Sequence, residues 1–94
     1  MQAKMDTFRP THEASFDQPC EVTITNEFIT ISYVDAGQTW HYKGQAKGAG
    51  HYELQAEGFN GRATLHRFEG SNVLEGTWIE DGVRGMWRIV WPAD

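Results

Sequence analysis

The chain has 94 residues, 39% of them hydrophobic and 13% aromatic, enough for one domain whose single core buries about 60–65% of the unfolded surface. A net charge of −5, without any long run of like charges, argues against nucleic acid as a partner. One cysteine, Cys20, excludes an internal disulfide framework, and no apolar stretch is long enough to cross a membrane as a helix. The segment after Met1 lacks the hydrophobic stretch of a signal peptide, so a cytoplasmic protein is expected.

Residues 1–19 show no clear period. Pro10 and Pro19 interrupt them, and Phe8, His12 and Phe16 stand among polar residues. This N-terminal arm is expected to be disordered, to add a strand, or to plug one end of a barrel formed by residues 20–94.

From Cys20 onward the chain alternates in the manner of β-strands joined by short turns. Cys20–Thr25 and Phe28–Val34 flank the two-residue loop Asn26-Glu27, which sets Val22 opposite Ile31 and Cys20 opposite Tyr33. The turn Asp35-Ala36-Gly37-Gln38 carries the apolar face on, with Tyr33 opposite Trp40 and Ile31 opposite Tyr42. A three-residue connection, Gly48-Ala49-Gly50, then pairs Tyr42, Gly44 and Ala46 with Ala56, Leu54 and Tyr52. A two-residue loop there would turn His41, Lys43 and Gln45 inward. Asn60-Gly61 has the signature of a type I′ turn, and either register around it keeps Leu54, Ala56, Ala63 and Leu65 on one face. Glu69–Asn72 joins this strand to the last hairpin, setting Leu65 opposite Gly76 and Ala63 opposite Trp78.

That hairpin, Leu74–Trp91, turns at Asp81-Gly82, where both residues accept positive φ. Counting outward puts Trp78 opposite Gly85 and Trp87 opposite Gly76, so two indoles fit on one face, while Glu75 meets Arg88 on the other. Every connection is short and each strand has one apolar face. The fold class is therefore all-β: a seven- to eight-stranded antiparallel up-and-down meander that closes into a small barrel and so covers its apolar side and removes its edges. Gly76-Thr77-Trp78, Gly85-Met86-Trp87 and the hairpin order over Cys20–Trp91 resemble the small calycin-type barrels, the group of lipocalins and avidin-like proteins. The resemblance implies an interior that takes a small apolar ligand; no binding residue carries over by motif.

Rings alternate with very small residues in the predicted interior, which suits either a solid core or an aromatic pocket floored by glycine and alanine. Arg67 shares the inward parity of Leu65, so it either snorkels to water from the strand end or pairs with tyrosine hydroxyls, a Trp face or a carboxylated ligand. The candidate ligand-binding residues are Arg67, Tyr52, Tyr33, Tyr42, Trp40, Trp78 and Trp87. His41, His51 and His66 fall on the outer face, where Glu53, His66, Glu75 and Arg88 form a charge ladder rather than a metal site. Cys20 has Tyr33 rather than a base beside it and reads as a small buried hydrophobe, and no local catalytic or cofactor motif occurs. Ile79, Met86 and Val90 face outward on the last two strands as a candidate interface patch. The expected function is non-enzymatic binding of a small apolar, aromatic or carboxylated ligand inside the barrel. The competing expectation is a homodimeric structural or protein-interaction module with a filled core.

Overall fold

The computed structural model describes residues 1–93. Period-two alternation lays down eight antiparallel strands, each bonded to the next in chain order: β1 (Gln2–Phe8), β2 (Ser15–Ile24), β3 (Phe28–Asp35), β4 (Gln38–Ala46), β5 (His51–Ala56), β6 (Gly61–His66), β7 (Val73–Glu80) and β8 (Val83–Val90). Among the described residues no helix is long and apolar enough to cross a membrane.

The N-terminal arm supplies the strand that closes the barrel. β1 pairs with β2 on one side and β8 on the other, so Met5 lies between Gln18 and Ile89. Ala3, Met5 and Thr7 point inward and are buried, while Gln2, Lys4 and Phe8 point out. The expected boundary at residue 20 falls inside β2, which begins at Ser15 and carries Pro19 opposite Lys4. The ladder is irregular between Met5 and Thr7. There Asp17 adopts a φ of 57° and its N–H donates to the Asp6 carboxylate at 3.0 Å.

The predicted registers of β2 with β3, β3 with β4, β4 with β5, β6 with β7 and β7 with β8 are present pair for pair, including Cys20 with Tyr33, Tyr33 with Trp40, Ala46 with Tyr52, Ala63 with Trp78 and Trp78 with Gly85. Between β5 and β6, where the sequence left the offset open, Leu54 lies opposite Ala63 and Tyr52 opposite Leu65. Asp81 and Gly82 have φ of 49° and 83°, the two positive values that a type I′ turn requires, and Ala36 and Gly37 repeat them at 52° and 75°. Asn60-Gly61 is different. Neither residue has positive φ; Gly58 takes it instead, at 86°, and Gly61 already belongs to β6. Gly61 is needed for space: a methyl group there would stand 2.7 Å from the Tyr42 hydroxyl and 2.9 Å from the Phe59 ring.

The two glycines opposite the indoles have separate causes. At Gly85 the space is taken by the Trp78 ring, as the pairing predicts. At Gly76 it is taken by the Thr64 carbonyl of β6, and at Gly44 by the Glu53 carbonyl of β5, so these positions allow backbones to approach where the sheet bends toward closure. Val22, Ile29, Ile31, Tyr42, Leu65, Leu74 and Ile89 are wholly inaccessible to water, which fills the middle of the barrel.

Gly76→Ala is expected to destabilise the fold by about 1–3 kcal/mol, because a methyl group must push β6 away. Trp78→Ala is expected to cost about 3–5 kcal/mol through the void over Gly85. Urea unfolding of both variants checks this, and wild-type midpoints would refute the assigned packing.

Candidate functional site

The inward positions of β3, β4, β7 and β8 bring five of the seven predicted ligand residues together at one end of the barrel, hereafter the mouth. Tyr33 and Tyr42 stand edge-on to Trp87, with ring centroids 6.0 and 4.9 Å away, and Trp78 lies 6.2 Å from Trp87. Phe59, from the loop between β5 and β6, covers this cluster: its ring meets Trp40 at 4.8 Å and Tyr42 at 5.5 Å, both nearly perpendicular. The Trp40 indole N–H donates to the Asp35 carbonyl at 3.2 Å. Arg9, from the loop after β1, lies over the Trp78 ring at 5.6 Å.

A carboxylate sits among these rings. Glu80 is the last residue of β7, half-buried, with the inward parity of Leu74, Gly76 and Trp78, and it lies opposite Gly61. The Tyr42 hydroxyl donates to Glu80 Oε1 at 2.5 Å. Burial first, then the hydrogen bond to Glu80, pushes the Tyr42 hydroxyl above its ordinary range. Burial followed by the charges of Glu80 and Asp35 does the same for Tyr33. Trp78 Nε1 is buried and, among the described residues, has no hydrogen-bond partner.

Arg67 and Tyr52 lie at the other end. Arg67 follows the last residue of β6; its backbone N–H donates to the Gly50 carbonyl at 2.8 Å, its Nε to the Ser71 carbonyl at 2.6 Å, and its guanidinium covers Trp91 at 5.2 Å. Trp91 and Asn72 are tied by Asn72 Nδ2 donating to the Trp91 carbonyl at 2.6 Å. Arg67 therefore helps to cap this end. Tyr52 is buried at the start of β5, between Ala46 and Leu65.

Two contributors, Glu80 and Trp91, were overlooked in the sequence. Glu80 and Trp91 follow from continuing the parity of β7 and β8 to their ends; a carboxylate in that row was the signal. Phe59 sits in a turn, where no period points a side chain anywhere.

On the outer face, His66 pairs with His51 rather than Glu53, with Nδ1 of His51 2.8 Å from Nε2 of His66, and the row continues through Glu75 to Arg88 at 3.5 Å. The ladder thus starts from His51, because the register sets Glu53 opposite Thr64. Cys20 is buried, and burial followed by the charge of Glu21 pushes its thiol up to about 11. Met86 is 54% exposed, whereas Ile79 and Val90 are half-buried. β1 extends the apolar surface: Phe8 pairs with Met86, and the Phe8 ring meets that of Phe16 at 5.9 Å.

Comparison with family models, with curated proteins and with solved structures finds no match for this chain.

Tyr33 and Tyr42 bind their protons more tightly folded than at the ordinary value of 10, so their contribution is complete below about pH 10 and is lost as pH rises above it. Each pH unit above about 10 is expected to remove up to about 1.4 kcal/mol per protected tyrosine. Denaturant unfolding between neutral and strongly alkaline pH checks this; a stability independent of alkaline pH, or a dependence unchanged in Tyr42→Phe, would refute it.

Proposed function

We propose that the protein is a non-enzymatic binding barrel whose mouth takes a small molecule with an apolar or aromatic body and a positive charge. The observation that carries this reading is Glu80, a half-buried carboxylate held by Tyr42 among aromatic rings and, among the described residues, without an ion-pair partner within 4.0 Å. Aromatic faces and a carboxylate together favour an organic cation, since ring quadrupoles and the negative charge act in the same direction. Asp35, Glu57 and Asp81 stand at strand ends around the same mouth and add to its negative potential. The sequence suggested a carboxylated ligand through Arg67. That arginine is engaged at the far end, which moves the charge preference to the opposite sign.

The inaccessible side chains in the middle of the barrel favour a ligand at the end rather than the centre. Phe59 covers the position: its ring abuts Gly61, Tyr42 and Trp40 from a loop with one positive-φ glycine, Gly58. Swinging that ring outward opens a slot walled by Trp40 and Tyr42 with Glu80 beside it.

Choline is expected to quench the tryptophan fluorescence in a saturable titration, and its uncharged isostere 3,3-dimethylbutan-1-ol to bind at least about tenfold more weakly. Glu80→Gln keeps an acceptor for Tyr42 and is expected to lose choline binding by a similar factor with an unchanged far-UV spectrum. Equal binding of both compounds, or an unaffected variant, would overturn the reading.

A second reading, a homodimeric interaction module with a solid core, is favoured by the neighbouring exposed side chains Phe8, Phe16 and Met86. It requires that sedimentation give a dimer and that Met86→Lys give a monomer; a monomeric wild type removes it.

A further inference from the structure

A groove of about 1100 Å³ crosses the outer face of the barrel obliquely, from the start of β3 to β8. Its floor includes the cross-strand pair Thr64 and Thr77, whose short side chains leave it low. Lys43, Lys47, Arg62 and Arg84 border it. These are four of the chain's eight Lys and Arg residues, whereas among the described residues only two of the 12 Asp and Glu carboxylates, Glu27 and Glu53, line the same groove. A protein of net charge −5 thus gathers half its cations on one concave surface. All four are exposed, and among the described residues none makes an ion pair within 4.0 Å.

We propose that this groove binds an extended acidic peptide segment of a partner protein. Five strand-to-strand steps of about 4.8 Å give a track about 24 Å long, which about seven extended residues fill. Carboxylates spaced along such a segment meet Lys43 and Lys47 near one end and Arg62 and Arg84 toward the other. Apolar side chains between them find Phe28, Ile79 and the exposed Met86. The two threonine hydroxyls face the backbone of the occupant.

A nucleic-acid strand fits this surface less well. Single strands rely on aromatic platforms for their bases, and the groove has one accessible ring, Phe28, with Lys43 already over it at 5.8 Å. Glu27 and Glu53 also repel a continuous phosphate backbone, whereas a peptide places its charges only where the cations are.

The test is fluorescence anisotropy with a labelled octapeptide of alternating Glu and Leu, at low and at physiological ionic strength. Saturable binding that weakens with salt is expected, with a loss of at least about tenfold in Arg62→Glu/Arg84→Glu and little change in Lys4→Glu, which alters a cation on β1 away from the groove. If the double variant fails to fold by far-UV dichroism, Arg62→Gln and Arg84→Gln are read singly, each with an expected loss of a few-fold. No binding, an equal loss in Lys4→Glu, or preference for the same peptide with Gln in place of Glu overturns the proposal. Tighter binding of an eight-nucleotide oligothymidine overturns it in favour of nucleic acid. Self-association abolished by the double variant overturns it in favour of a second copy of the chain.

Discussion

Closure of the sheet by β1 is the constraint on which the rest depends. Seven hairpin-connected strands with one apolar face would leave β2 and β8 as open edges with a core exposed between them, and both edges would invite pairing with another chain. β1 lies in that gap and bonds to both. Its inward residues, Ala3, Met5 and Thr7, cover the flank of Cys20, Trp87 and Ile89 that the other strands cannot reach. Burying a side chain of the size of Met5 contributes about 1.5–3 kcal/mol, a considerable share of the stability of a small domain.

Closure at so small a diameter demands sharp bending, and the chain meets it with glycine at points of backbone contact. Gly44 and Gly76 admit the carbonyls of the neighbouring strands, and Gly85 and Gly61 admit side chains, the Trp78 ring at one and the Tyr42 hydroxyl with Phe59 at the other. The same compression packs Val22, Ile31, Leu65, Leu74 and Ile89 into the middle of the barrel without accessible surface. Polar chemistry is displaced to the ends and the exterior. One end is capped by Arg67 over Trp91, the other holds Glu80 under tyrosine hydroxyls, and the outer face gathers four cations along one groove. Charge is therefore segregated on a molecule whose overall composition shows only a mild acidic excess.

The sequence by itself determined the strands from Cys20 onward, the inward set and every register except that of β5 with β6, because period-two alternation leaves one choice of face and short turns fix the other offsets. Asp81-Gly82 and the Gly85 and Trp78 pair were legible for this reason. Asn60-Gly61 was misread because a turn signature of two residues cannot compete with the packing that draws Gly61 into β6 against Tyr42. In the sequence the arm was a strand only as one of three alternatives, because Pro10 and Pro19 obscured the alternation of Ala3, Met5 and Thr7, and only the vacant edges of β2 and β8 give that alternation a use. Local pattern also settles the face of a residue but not its height along the barrel. Tyr52 and Arg67 share an interior with Tyr33 and Tyr42 in the sequence, yet stand at opposite ends of it. Which rings meet, where Glu80 finds its hydroxyl, and which exposed cations share a groove depend on strand tilt and closure, and those are properties of the assembled barrel rather than of any one strand.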